Sequence, residues 1–292
     1  MHLIRFSDAT EFTAKAQDFL LEHEAENNVI LGICTTLVHS PDPSRPEPYL
    51  AVVEEKDQVI TVAVCYPPNN LVISYTEVDV PVALIADDLR ATNYPDIPGV
   101  VSTKALSRAF AESWHEIRGV EYRLGISMRC YQLETVKHPI EVSGQMRRAV
   151  GGDRDLLEKW LQAFHDEALG DIDPAMPEEI RAIVDRYLTP GNENLRGFLL
   201  WEDAGNVVSM AAYVGPTPHG MRVNSVYTPP EYRRKGYASA CVAGVSQMIL
   251  DSGKTFCFLF TDLKNSTSNK IYQDLGYHPV ADVDEYLFEA AG

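Results

Sequence analysis

A short basic turn at residues 233–238 is the part of the sequence best suited to chemistry. Three cations and a glycine occur together there, in the run Arg233, Arg234, Lys235, Gly236, Tyr237, Ala238. Apolar residues then recur at helical spacing, which predicts a helix that begins at this turn. The first N–H groups of a helix lack intrahelical partners, and Gly236 lets a ligand approach the backbone closely. The turn therefore predicts a phosphate or pyrophosphate site, although a solvated turn before a core helix would look similar.

A second polar pattern follows one strand later. Residues 255–261 read as a buried strand, and Asn265, Tyr272, Gly276 and Tyr277 come after it. A phenol with a pKa of about 10 is protonated at pH 7, so Tyr272 could give a proton to a departing thiolate. The alternative is that Tyr272 is a core residue on a short amphipathic helix.

Together the two patterns resemble the signatures of the GNAT (Gcn5-related N-acetyltransferase) superfamily. The acyl-CoA signature of that family, R/Q-x-x-G-x-G/A after a strand, matches Arg233, Gly236 and Ala238. Its second signature is an Asn seven residues before a Tyr that precedes x-x-x-G-F/Y, and Asn265 and Tyr272 match it. The resemblance covers the C-terminal half of the chain.

The resemblance implies acetyl-CoA as the acyl donor and assigns most of the site. In the family, the strand before the turn splays from its neighbour, its end binds the pantetheine arm, and the turn binds the pyrophosphate. The implied cofactor-binding residues are Val226, Tyr227, Thr228, Arg233, Arg234, Lys235, Gly236, Tyr237, Ala238, Ser239, Asn265 and Asn269. Asn269 could instead only stabilise its helix. Tyr272 stands at the position of the family's general acid.

The acceptor side is less well defined. In GNAT-like folds the end of the domain's first helix lines the acceptor pocket, which makes His165 and Glu167 candidate contacts of an amine. A charged helix end that faces solvent explains these two residues as well. An amine must lose a proton before it attacks, and Asn224 and Ser225 on the cofactor strand are poor bases. His165, Glu167 or a chain of waters remain as possible bases.

Composition excludes several classes of function. The 292 residues include 42 Asp and Glu against 25 Lys and Arg, a net charge of −17, which argues against nucleic acid as a partner. This acidity could attract a cationic amine, or it could be an ordinary solvated surface. No apolar run reaches the roughly 18 residues of a membrane span, and the N-terminus does not resemble a signal peptide. The five scattered cysteines suggest buried thiols in a reducing cytoplasm and no metal site.

The two halves of the sequence share a plan. Residues 53–63 and 201–211 align without a gap, each within a predicted hairpin. We therefore predict an α/β (α+β) fold of tandem GNAT-like domains, each a mixed, mostly antiparallel twisted sheet flanked by helices. Residues 1–140 would be a degenerate GNAT-like domain without a cofactor site, and residues 145–292 the acetyltransferase domain. An unrelated α+β domain in the first half is the alternative.

The first half lacks both signatures. We expect its counterpart of the basic turn at residues 94–103, before a helix over 104–118, and no R-x-x-G-x-G occurs there. The predicted function is thus one N-acetyltransferase site that moves an acetyl group to an amine by direct attack in a ternary complex. The expected partners are a small-molecule or peptide amine as acceptor and a second copy of the chain in a homodimer. The alternatives are a non-catalytic acyl-CoA-binding regulatory protein, and an acyltransferase with another acyl group or a hydroxyl acceptor.

Overall fold

The computed structural model of the chain describes residues 1–39, 41, 45–78, 80, 82–92, 94, 97–140, 142–168, 170 and 176–289. These residues fall into two compact units. The first unit contains Met1–Cys130, Asp262–Lys264 and the chain from Val280 onward. The second contains Tyr131–Thr261 and Asn265–Pro279.

The first half of the chain alternates strands with helices. Asp8 starts the first helix because its carboxylate accepts hydrogen bonds from the amides of Thr10 and Glu11, at 2.8 Å each. Gly119, with φ of 70°, ends the last helix of this half in the left-handed conformation. The elements are β1 (His2–Arg5), α1 (Ala9–Glu22), α2 (Asn28–His39), β2 (Tyr49–Glu55), β3 (Gln58–Cys65), β4 (Leu71–Ile73), α3 (Ala83–Ala91), β5 (Gly99–Thr103), α4 (Lys104–Arg118) and β6 (Tyr122–Leu133).

The second half repeats this order. Short 3-10 turns precede the first and third of its helices, at Gly151–Asp153 and Pro230–Tyr232. The elements are β7 (Gln145–Arg148), α5 (Arg154–Ala168), α6 (Pro177–Leu188), β8 (Arg196–Asp203), β9 (Asn206–Val214), β10 (Gly220–Tyr227), α7 (Tyr237–Asp251), β11 (Phe256–Asp262), α8 (Ser266–Asp274) and β12 (His278–Phe288).

Each unit has a mixed sheet with helices on both faces. In the first unit the strand order is β1-β2-β3-β4-β5-β12, and in the second it is β11-β10-β9-β8-β7. The pairs β4–β5 and β10–β11 are parallel. The pairs β1–β2, β2–β3, β3–β4 and β5–β12, and likewise β7–β8, β8–β9 and β9–β10, are antiparallel. The predicted tandem α/β fold with mostly antiparallel sheets is confirmed.

The limits of the units differ from the predicted boundary between residues 140 and 145. The C-terminal strand β12 pairs with β5 of the first unit, from Val283 opposite Thr103 to Leu287 opposite Gly99. Residues 131–144 belong to the second unit, where Tyr131 and Leu133 lie in the core. An edge strand is stabilised by any strand that satisfies its backbone groups, wherever that strand lies in the sequence. Local sequence patterns do not encode that choice.

The segment of the first half that corresponds to the basic turn is also not where we expected it, at residues 94–103. Residues 99–103 form β5, which already pairs in parallel with β4. The helix that crosses between the two parallel strands is therefore α3, and the equivalent turn is segment 74–82. Its sequence, SYTEVDVPV, contains no glycine and no cation, so the first half still lacks the signature.

The cores lie between each sheet and its helices. In the second unit, one cluster packs under α7 and α8 around Cys241 and Val245, and another under α5 and α6 around Leu157 and Trp160. All five cysteines are buried free thiols. Within the described residues, no group of His, Cys, Asp and Glu side chains could hold a metal ion. No described helix is long and apolar enough to cross a membrane.

Candidate active site

A gap opens between β10 and β11 in the second unit. The two strands pair over three residues, ending with Arg222 opposite Phe258. Beyond that point β10 continues beside β9, and its register shifts between Asn224 and Tyr227. Ser225, at the shift, has φ of 47°. A bulge of this kind bends and twists its strand, so it turns β10 away from β11. The two strands therefore splay apart, as expected from the sequence.

The basic turn forms a set of unpaired backbone donors at the start of α7. Arg234 and Gly236 are both left-handed, with φ of 61° and 84°. The first intrahelical bond runs from the Ala240 amide to the Gly236 carbonyl, at 2.9 Å. The amides of residues 237–239 therefore precede the helical bonding pattern, and the N-cap residue, Gly236, has no side chain that could cap them. Such a concave set of N–H groups beside cations fits a phosphate or pyrophosphate.

The chain before β7 lies against this turn. A Cβ built on Gly236 would come within 2.9 Å of Val142 Cγ2, so both its φ and its surroundings require glycine. The Trp201 indole donates a hydrogen bond to the Ser143 carbonyl at 2.8 Å. The Tyr237 hydroxyl donates to Asp203 Oδ2 at 2.5 Å, which lowers the pKa of that carboxylate. These contacts hold the turn and the chain before β7 in place. They join residues that are distant in the sequence, so no local sequence pattern predicts them.

Arg233 and Glu167 contact each other. The Arg233 guanidinium donates to Glu167 Oε2 at 2.5 Å and to the Thr228 carbonyl at 2.8 Å, and it lies 5.8 Å from the centre of the Tyr227 ring. The hydrogen bond to Glu167 raises the pKa of Arg233. Two residues that the sequence suggested for different ligands, one for the cofactor and one for the acceptor, thus form one ion pair. Arg234 and Lys235 are exposed on the turn.

The end of β10 is held in place by its side chains. Val226 packs against the core under α7, whereas the Tyr227 ring lies 6.1 Å from that of Trp160 on α5. The hydroxyls of Thr228 and Ser209 are 2.8 Å apart, and Ser209 also donates to the Tyr227 carbonyl at 3.2 Å. The backbone of residues 226–228 is thereby anchored beside the gap.

His165 lies in the last turn of α5 and is half-buried. Its ring meets that of Phe164 edge to face, with 5.7 Å between the ring centres. It is on the helix that packs beside β10, which is the side expected for the acceptor.

Asn265, the N-cap of α8, and Asn269, within α8, both form hydrogen bonds to neighbouring groups of the protein. Asn265 caps the helix by accepting a hydrogen bond from the Ser268 amide at 3.0 Å. Asn269 donates to the Asn265 carbonyl at 2.7 Å and accepts from the Tyr131 hydroxyl at 2.8 Å. These contacts favour the alternative in which Asn269 stabilises its helix. Tyr131 lies on β6, far away in sequence, and was not expected at this site.

Tyr272 is buried on α8, with 8% of its surface exposed. Its ring centre is 6.4 Å from that of Tyr131 and 6.0 Å from that of Tyr277. Burial raises the pKa of its phenol to about 12. The group therefore keeps its proton at neutral pH, which a general acid requires, and it also fills part of the core.

A comparison with protein families matches this part of the chain. The model of the acetyltransferase (GNAT) family covers residues 156–277, which include the turn, the gap and Tyr272. Residues 156–277 are a GNAT domain. No curated protein matches the chain.

Solved structures share the whole fold. A Drosophila protein has 13% sequence identity and a TM-score of 0.69, with 98% of each chain covered. A tandem GNAT protein from the clavulanic acid biosynthesis pathway has 11% identity and a TM-score of 0.61, with 100% of this chain and 98% of that chain covered. A GCN5-related N-acetyltransferase from Kribbella flavida has 17% identity, a TM-score of 0.58, and coverage of 91% of this chain and 96% of that chain. These likenesses extend over the first half, so the first half of the chain shares the tandem GNAT fold.

Proposed function

We propose that the second unit transfers an acetyl group from acetyl-CoA to an amine, by direct attack in a ternary complex. Membership of residues 156–277 in the GNAT family supports acyl transfer. The observation that carries the finer proposal is the end of β10–β11 pairing at Arg222 and Phe258, next to the uncapped start of α7. A gap beside unpaired donors suits an extended ligand that ends in a pyrophosphate.

Different groups of the protein would bind different parts of this ligand. The amides of residues 237–239, with Arg234 and Lys235 beside them, would hold the pyrophosphate. The backbone of residues 226–228 would hold the pantetheine arm in the gap. When bound, acetyl-CoA supplies the thioester carbonyl carbon and a thiolate leaving group.

The chemistry that remains for the protein is orientation and proton transfer. The amine nitrogen forms a bond to the carbonyl carbon, the carbon–sulfur bond breaks, and the amine loses one proton to solvent. The Tyr272 phenol donates a proton to the departing sulfur and recovers one from water. A backbone N–H at the end of β10 would polarise the carbonyl, and such a donor is typically worth about 3 kcal/mol in the transition state.

The first unit would bind no acyl-CoA, since segment 74–82 has neither glycine nor cation. We also propose a cytoplasmic location, because the five buried thiols suit a reducing compartment. His165, half-buried at the end of α5, would face the acceptor.

Calorimetry with acetyl-CoA, followed by thiol release with a panel of amines, tests the proposal. We expect one binding site per chain and amine-dependent release of CoA. An acetyl-CoA that does not bind would overturn the proposal. Binding without turnover by any amine would favour a regulatory acyl-CoA-binding protein.

A further inference from the structure

Asn224 is the first residue of β10 beyond the pairing with β11 whose side chain lies on the face covered by α5. The last paired residue of β10 is Arg222, and Asn224 follows two residues later. Asn224 pairs with Ala212 of β9, which belongs to the core under α5 and α6. Val223 belongs to the core on the opposite face, under α7 and α8. Asn224 therefore lies at the start of the gap, on the side of α5.

The bulge in β10 puts aromatic residues on the same face of the sheet as Asn224. Between Asn224 and Tyr227 the strand contains one residue more than its partner, so both residues lie on the same face. Tyr227 contacts Trp160, and Phe164 packs against the same core. A ligand that reached Asn224 from this side would meet these aromatic rings, with the Arg233–Glu167 pair beside the ring of Tyr227.

The Asn224 amide has an unused acceptor. Its Oδ1 atom is buried and accepts no hydrogen bond from any residue that the structure describes. Buried polar atoms without partners are rare in native proteins because desolvation is unfavourable unless a hydrogen bond replaces water. An N–H donor of a bound molecule would provide that bond.

We propose that Asn224 Oδ1 accepts a hydrogen bond from the attacking amine and thereby selects amines over alcohols. This inference rests on the proposed acetyltransferase function and names its acceptor class, a primary amine on an apolar or aromatic skeleton. Asn224 binds and orients the acceptor, and it takes no proton.

The selection follows from counting protons. A neutral primary amine has a lone pair and two N–H groups, so one N–H can bond to Oδ1 while the lone pair faces the carbonyl carbon. The carbon–nitrogen bond forms, the carbon–sulfur bond breaks, the other amine proton leaves to water, and the thiolate takes the Tyr272 proton. An alcohol has only one O–H, whose proton must leave during the attack. An amide oxygen is too weak a base to take that proton, so an alcohol held by Asn224 gains no assistance.

Three variants separate binding from selection. Asn224→Leu removes the acceptor at similar size, and Asn224→Asp provides a carboxylate that can accept an alcohol proton. The control is Asn206→Leu, an exposed asparagine in the hairpin between β8 and β9. The probes are phenethylamine and 2-phenylethanol, which share a skeleton, with acetyl-CoA as donor and the acetylated products quantified by mass spectrometry.

We expect the parent to acetylate the amine at least about tenfold faster than the alcohol, the scale of one hydrogen bond. Asn224→Leu should lower amine turnover by about tenfold with unchanged acetyl-CoA affinity, and Asn224→Asp should lower the amine-to-alcohol ratio. The melting temperature of Asn224→Leu should equal or exceed that of the parent, because no internal hydrogen bond is lost. Asn206→Leu should change none of these quantities.

Different results would contradict the role of Asn224 and the acetyltransferase function. A parent that does not bind acetyl-CoA overturns the proposed function. A parent that prefers the alcohol, or Asn224 variants with the parent's amine-to-alcohol ratio, overturns the role of Asn224 alone. A melting temperature of Asn224→Leu several degrees below the parent, with or without turnover, shows an internal partner for Oδ1 and also overturns it.

Discussion

The crossover β4–α3–β5 of the first unit and the crossover β10–α7–β11 of the second have the same order and the same parallel pairing. Their strand ends differ. In the first unit Ser102 Oγ on β5 donates to the Ile73 carbonyl on β4 at 3.0 Å, which ties the two strands together just beyond their paired residues. In the second unit the pairing stops at Arg222, and a bulge turns β10 away.

The helices that follow these strands differ as well. Tyr75, two residues after β4, is bound to the α1–α2 connection, where Asn27 Oδ1 accepts a hydrogen bond from its amide at 2.9 Å. The residue before α3, Val82, is right-handed, whereas Gly236 before α7 is left-handed. The same topology therefore gives a crossover with its strands held together in the first unit and a crossover with a gap between its strands in the second. The choice depends on a bulge, a left-handed glycine and a few charges.

The largest expected effect is that of Tyr272→Phe. If the phenol protonates the thiolate, kcat should fall by roughly 10²–10⁴ while the acetyl-CoA Kd changes little. The ring still fills the core, so stability should change by less than about 1.5 kcal/mol.

The matched control is Tyr286→Phe in the first unit, where Tyr286 meets Tyr122 with 5.8 Å between ring centres. It should leave kcat unchanged. An unaltered kcat in well-folded Tyr272→Phe protein would make Tyr272 a core residue without a role in catalysis.

Gly236→Ala should have the next largest effect. We expect acetyl-CoA to bind at least about tenfold more weakly, because the left-handed turn that aims the amides is strained by a Cβ. The free energy of unfolding should also fall, by about 1–2 kcal/mol or more, since a Cβ meets Val142.

Gly119→Ala controls for this strain. Gly119 is left-handed too, but a Cβ there would meet no atom within 4 Å. Gly119→Ala should cost a similar conformational energy, measured by chemical denaturation. It should leave the Kd of acetyl-CoA, measured by calorimetry, unchanged. Equal Kd values for the parent and Gly236→Ala would show that the turn does not bind the cofactor.

A smaller effect is expected for Ser102→Ala in the first unit. Loss of the hydrogen bond to Ile73 should destabilise the protein by about 1 kcal/mol. Calorimetry should still give one acetyl-CoA per chain, because untying the strands adds neither glycine nor cations to segment 74–82. A stoichiometry of two, in either the parent or the variant, would contradict the contrast between the units.

The smallest expected effect is on the alkaline side of the pH profile. Burial raises the pKa of Tyr272 to about 12, so its neutral, proton-donating form persists as pH rises. We expect kcat to rise as the amine deprotonates and to show no decline from loss of the phenol proton up to about pH 10. A decline centred near pH 8 that Tyr272→Phe abolishes would show that the phenol ionises at lower pH in the working enzyme.

Much of the local structure could be predicted from sequence. The hairpins at 49–65 and 198–213, the helix over 104–118 and the turn before α7 follow from alternation, helical spacing and turn residues. Helix α2 was not predicted, because its sequence NVILGICTTLVH is apolar around most of its circumference and rich in β-branched residues. Tertiary packing against α1 and the sheet overrides that propensity.

The candidate site was predictable where it depends on neighbouring residues. The glycine, the cations and Tyr272 were identified by spacing, whereas the contact of Val142 with Gly236 and that of Tyr131 with Asn269 depend on how distant segments pack. The missing partner of Asn224 Oδ1 depends on which side chains of other elements lie near it. Such features follow from three-dimensional packing rather than from local pattern.

The place of β12 beside β5 constrains how the protein is made. During synthesis on the ribosome, β5 emerges long before β12, with the elements from α4 to α8 in between. Until β12 arrives, one edge of β5 has unpaired N–H and C=O groups, which invite wrong partners. The first unit therefore cannot complete its sheet while the ribosome is still translating the second. A chain stalled between them would be a substrate for chaperones, not a finished domain.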